Sequence, residues 1–126
     1  MMSMENDPER EDGKMLTFNV IFQCRPGERE TFLGELRAAG IDAASRAEPG
    51  NRGYDFYLSV NDPDALLLIE KYTEDAAVFA HAQTAHVQRL VALKEKYVAD
   101  MSMERYEGDG AMPAFGEKEA PSGLSS

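Results

Sequence analysis

The ten residues MLTFNVIFQC, Met15 to Cys24, alternate with a strand's period of two. Leu16, Phe18, Val20, Phe22 and Cys24 fall on one side, and Thr17, Asn19 and Gln23 on the other. A strand with one apolar face must bury it, so the chain that follows has to supply a cover. After Arg25-Pro26-Gly27 the apolar positions change period: Phe32, Leu33, Leu36, Gly40, Ala43 and Ala47 recur at steps of three and four. This predicts one helix from Glu28 to the Glu48-Pro49-Gly50 turn, weakened by Gly34 and Gly40.

The period of two then returns. Tyr54, Phe56, Leu58 and Val60 alternate with Asp55, Tyr57 and Ser59, Asn61 to Asp64 supply turn residues, and ALLLIEKY (65–72) is a further apolar run. Two strands so closely joined predict a hairpin. Thr73 is placed to cap a short helix from Glu74 to about Ala82, and Thr84 a second one reaching about Tyr97. The stretch ADMSMERY (99–106) reads as a last strand. The order is β-α-β-β-α-β with the second helical segment broken in two, which is an α+β, ferredoxin-like plan. Its strands are too continuously apolar for a solvated sheet face, notably at Leu66 to Ile69, and burial against a second copy predicts a homodimer.

The residues outside this pattern are of another kind. Residues 1–14 are polar and acidic, and 108–126 are rich in Gly, Pro, Ser and charge, so both predict flexible tails around one domain at 15–107. No apolar run is long enough for a membrane span and the N-terminus lacks a basic-then-apolar leader, which predicts a cytoplasmic protein with no membrane partner. The formal net charge of −10 argues against nucleic acid. Residues 15–106 carry ten basic and fourteen acidic groups, however, and that near balance leaves room for a neutral or anionic small ligand. The single cysteine, Cys24, reads as a buried strand thiol rather than a nucleophile. There is no phosphate loop, nucleotide fingerprint, serine elbow or zinc signature, and nothing demands a bound cofactor.

Taken in order, several short features resemble the antibiotic biosynthesis monooxygenase (ABM) domain family, including its quinol monooxygenase-like members. They are Pro26-Gly27, Glu48-Pro49-Gly50, Asp62-Pro63, the acid and aromatic pair Glu70 and Tyr72, the histidines His81 and His86, and Glu104-Arg105-Tyr106. The resemblance spans about residues 15–107. It implies a dimeric α+β barrel with a pocket between sheet and helices. It also implies oxidation of electron-rich aromatics such as quinols by O₂ without flavin or metal, while other relatives degrade haem. One departure stands out: family members usually carry Trp after the acid, where this chain has Tyr72.

The candidate site residues carry competing readings. An imidazole titrates near neutrality and could take a phenolic proton, making a quinol more oxidisable; His81 and His86 are therefore candidate bases. His86 shares a stripe with Leu90, Leu93 and Tyr97 and reads equally well as a hydrogen-bonded core histidine. Residues five apart lie about 140° apart on one helix, so no metal site is expected unless the break at Gln83 to Ala85 brings the imidazoles together, with Glu70 the obvious oxygen ligand. Glu70 emerges from an apolar row with a structural or a catalytic role, and its partner would be Arg105 or a histidine. Tyr72, Asn19 and Tyr57 are the candidate substrate contacts. The leading expectation is a cofactor-independent monooxygenase acting on a small quinol or phenol-like aromatic. Its rival is a non-catalytic dimeric module that only binds a small ligand.

Overall fold

The computed structural model describes residues 15–108. Eight elements follow one another: β1 (Met15–Cys24), α1 (Arg29–Ala38), α2 (Ile41–Arg46), β2 (Asn51–Leu58), β3 (Ala65–Tyr72), α3 (Asp75–Ala82), α4 (Ala85–Tyr97) and β4 (Val98–Gly108). The strands form one antiparallel sheet in the order β2-β3-β1-β4, with the helices packed on one face, as the ferredoxin-like plan requires. Of the expected tails, 1–14 and 108–126, only Gly108 lies within the described residues, where it ends β4. Among the described residues no helix is long and apolar enough to cross a membrane.

Two local readings need correction. The helix expected from Glu28 to the Glu48 turn is two helices, because Gly40 adopts φ 74°, a left-handed conformation that a side chain disfavours, and so stops α1 and starts α2. Thr73 does not cap α3: the capping position is Glu74, whose side chain makes no cap bond. Thr84 does cap α4, accepting the amide of Val87 at 3.3 Å. Its hydroxyl also donates to the carbonyl of His81 at 2.8 Å, so one side chain closes α3 and opens α4.

The core confirms the alternation read in β1. Val20, Phe22 and Cys24 are buried together with Phe32 and Leu36 of α1, Ile41 of α2, Tyr54 of β2, Leu66 and Leu68 of β3, and Leu90 and Tyr97 of α4. Cys24 is a buried thiol, and burial pushes its pKa up, which suits packing and not nucleophilic attack. Arg29, buried at the start of α1, donates through one guanidinium nitrogen to the carbonyls of Ser59, Asp62 and Ala65, which fastens the hairpin turn to the helix. The phenol of Tyr97 donates to Glu35 and ties α4 to α1.

Candidate active site

The second helical pair stands off from the sheet and leaves a cavity of about 210 Å³. Its floor is Phe18, Val20 and Phe22 of β1 with Leu68, Glu70 and Tyr72 of β3; its roof is Val78, His81 and Ala82 of α3 with Val87, Leu90 and Lys94 of α4; Met101 and Met103 of β4 form a side wall. The wall is mostly apolar. His81, Glu70 and Tyr72 gather at one place on it.

The break between α3 and α4 decides the histidine geometry. Because the chain turns at Gln83 and Thr84, the two rings do not diverge as they would on one helix, and their centroids lie 5.9 Å apart. What they converge on is a residue absent from the sequence-derived candidates: Glu48. Nδ1 of His81 lies 2.8 Å from Oε2 of Glu48, and Nε2 of His86 lies 2.5 Å from the same oxygen. In the sequence Glu48 is only the first residue of a turn motif, and nothing in its spacing announces a partly buried carboxylate. The fold places it there by three local bonds. Its amide donates to the carbonyl of Ser45, its carbonyl accepts from Asn51, and the amide of Thr73 donates to Gly50. A Cβ on Gly50 would sit 2.2 Å from Cβ of Ala77, so only glycine lets this turn lie against α3.

The hydrogen bonds assign the His81 tautomer: Nδ1 donates to Glu48, and Nε2 is left on the side of Glu70, whose Oε1 is 3.7 Å away. The ring is held between Tyr54 and Tyr72, with centroids 5.9 and 5.5 Å distant. Tyr72 donates its phenolic proton to Oε1 of Glu70 at 2.5 Å. Burial raises the Glu70 carboxyl above its ordinary range, against the opposing effects of the Tyr72 bond and of His81. Burial also raises the Tyr72 phenol well above its ordinary value, reinforced by the charge of Glu70, so Tyr72 stays a donor.

Glu48, His81 and His86 each offer one ligand atom, all within 4.8 Å of one another, a separation one small cation could bridge. Two imidazole N–H donors on one carboxylate satisfy the same three groups. The oxygen donor of this set is Glu48, not the Glu70 that spacing suggested.

Other expectations fall away. Asn19 pairs with Ile69 and Glu104 on the opposite face of the sheet, and Tyr57 pairs with Leu67 on that face, 49% exposed. Neither lines the cavity. One residue of strand alternation separates Asn19 from Phe18, which does. Arg105 is not the partner of Glu70; it bonds Asp75 and Glu107.

The family model for antibiotic biosynthesis monooxygenase matches residues 15–93. The chain belongs to this family. The Bacillus subtilis (strain 168) protein named "Putative monooxygenase YcnE" is 35% identical over 94 residues, 74% of this chain and 97% of its own length. The crystal structure of PA3566 from Pseudomonas aeruginosa superposes with a TM-score of 0.68 at 30% identity, covering 74% of this chain and 92% of that one. A solved structure titled "Putative antibiotic biosynthesis monooxygenase" from Nitrosomonas europaea gives 0.69 at 26% identity, covering 75% and 89%. Family membership supports a monooxygenase-like function and agrees with the ferredoxin-like fold.

Proposed function

We propose that this ABM protein oxidises a small quinol or phenol-like aromatic with O₂ and without a bound cofactor, and that His81 is its base. The observation that carries this reading is that His81 is the imidazole lining the cavity, with its other ring nitrogen fixed on Glu48. His86 reaches the same carboxylate from behind and contributes no cavity wall.

The chemistry follows from that geometry. A hydroxyl of the substrate, seated on Phe18 and Leu68, gives its proton to Nε2 of His81, and Glu48 stabilises the imidazolium that forms. With the Tyr72 proton held on Oε1 of Glu70, the Tyr72 hydroxyl oxygen and Oε2 of Glu70 supply acceptors for a second substrate hydroxyl. The deprotonated ring is electron-rich enough to reduce O₂ directly. For a naphthohydroquinone with an open ring position, one oxygen atom enters the ring and the other leaves as water, giving a hydroxyquinone; both electron pairs come from the substrate. The apolar wall suits a flat aromatic and keeps bulk water from the reacting ring.

We also infer a homodimer formed through the sheet face opposite the helices. There Ile21 is 41%, Tyr57 49% and Tyr106 52% exposed, with Leu67 between Tyr57 and Ile21 in the strand register.

The test of function is oxygen uptake by metal-stripped protein with a panel of naphthohydroquinones and anthrones. Uptake above autoxidation that is lost in His81→Ala supports the oxygenase and its base. Binding across the panel with no uptake supports the ligand-binding module instead.

A further inference from the structure

We propose that Lys94 is a recognition point for an anionic group, a carboxylate in the simplest case, at the end of the substrate remote from His81. This rests on the cavity being the substrate site. Lys94 lies seven residues after Val87 and four after Leu90, so helical spacing puts it on the cavity side of α4, and it is the lysine or arginine that lines the cavity. Its ammonium has no ion pair among the described residues. The contact it makes is with Sδ of Met101 at 3.5 Å, and a thioether is a weak acceptor. In a chain with 23 acidic and 13 basic residues, carboxylate partners are abundant, yet this ammonium is turned toward a thioether at the cavity wall.

The strand register gives the spacing. Glu70 lies opposite Phe18, and Met101 opposite Phe22, four residues further along β1. At about 3.4 Å per residue those two backbone positions are roughly 14 Å apart, an upper bound on the span between the polar groups, since the Lys94 charge is felt at the Glu70 carboxyl. Between them the wall is apolar, formed by Val20, Leu68 and Leu90. A flat aromatic with a hydroxyl at the His81 end and a carboxylate beyond its second ring spans that distance. The net charge of −10 works against any anion, so a preference for one has to come from a local cation.

The alternative is that Lys94 only lays its stem on the apolar wall and its head in water. Calorimetric titration of the full-length protein separates the two. The probes are a 1,4-naphthoquinone carrying a propionate on its second ring and the methyl ester of the same compound, both oxidised so that no turnover occurs. The expected result is that wild type binds the acid about tenfold more tightly than the ester, the order of a charge-assisted hydrogen bond. Added salt should weaken that preference. Lys94→Met should bring the acid-to-ester affinity ratio to about one, and Lys94→Arg should keep the preference. Equal binding of acid and ester by wild type, survival of the preference in Lys94→Met, or failure of both quinones to bind overturns the proposal. Oxygen uptake with the two reduced compounds tests the oxygenase reading separately. Turnover of both without preference removes only the Lys94 role, and acid-selective binding without turnover removes only the oxygenase.

Discussion

Nδ1 of His81 rests 2.8 Å from Oε2 of Glu48 across 33 residues of sequence, so the carboxylate sets which ring nitrogen faces the cavity. Replacing it with an amide keeps the volume and removes the charge that stabilises an imidazolium. Glu48→Gln is expected to lower kcat for hydroquinone oxidation about a hundredfold, the low end of the general-base range, with KM little changed. A rise in KM with kcat intact would show that Glu48 shapes the cavity and does not position the base.

The two histidines differ in what they touch. His81→Ala is expected to cost roughly 10² to 10⁴ in kcat. His86→Ala is expected to keep activity within about tenfold while lowering the thermal midpoint, since it leaves a partly buried carboxylate short of one donor. Equal loss of activity in both variants would place the base elsewhere.

Glu70 makes stability depend on pH in a calculable direction. Its folded pKa is raised from the ordinary 4.5, chiefly by burial. The folded state therefore binds its proton more tightly than the unfolded chain, and stability is lost as pH rises from the unfolded value through the folded one. Glu70→Gln removes that loss and keeps an oxygen acceptor for Tyr72. Thermal midpoints of wild type and variant should draw together at low pH and separate toward neutrality, with the variant higher. A difference that is constant with pH would contradict the raised pKa.

The Gly50 turn is a packing constraint. A Cβ there would meet Cβ of Ala77 at 2.2 Å and Oγ1 of Thr73 at 3.3 Å. Gly50→Ala is expected to destabilise by about 1–3 kcal/mol, as overpacking does, with a lower thermal midpoint. Adding Ala77→Gly should recover part of this, limited by the roughly 1 kcal/mol that glycine costs in a helix. A single variant that melts like wild type would show that the turn and α3 can move apart freely.

The far sheet face is tested by size. Light scattering at micromolar concentration is expected to give twice the chain mass of 14.0 kDa, and Ile21→Lys, which puts a charge at the centre of that face, is expected to give the single-chain value. A wild-type monomer would remove the dimer.

The chain by itself determined the strands, their buried faces and the order of elements. Those depend on periods of two and 3.6 and on turn residues, all local properties, so β1, the β2–β3 hairpin and the Thr84 cap were legible. It also set His81, Glu70 and Tyr72, groups able to exchange or bond protons, in otherwise apolar segments. Tertiary structure decided the rest. Whether Asn19 or Phe18 meets the cavity depends on which sheet face the helices cover, and the same choice puts Tyr57 on the far face. Gly40 could be a weak helix position or a stop, and the packing of α2 against α1 chose the stop. Glu48 reaches the histidines only because a glycine turn lets backbone lie against α3, and a contact across 33 residues leaves no mark in local spacing. The same is true of Lys94, whose place at the cavity follows from how α4 sits on the sheet.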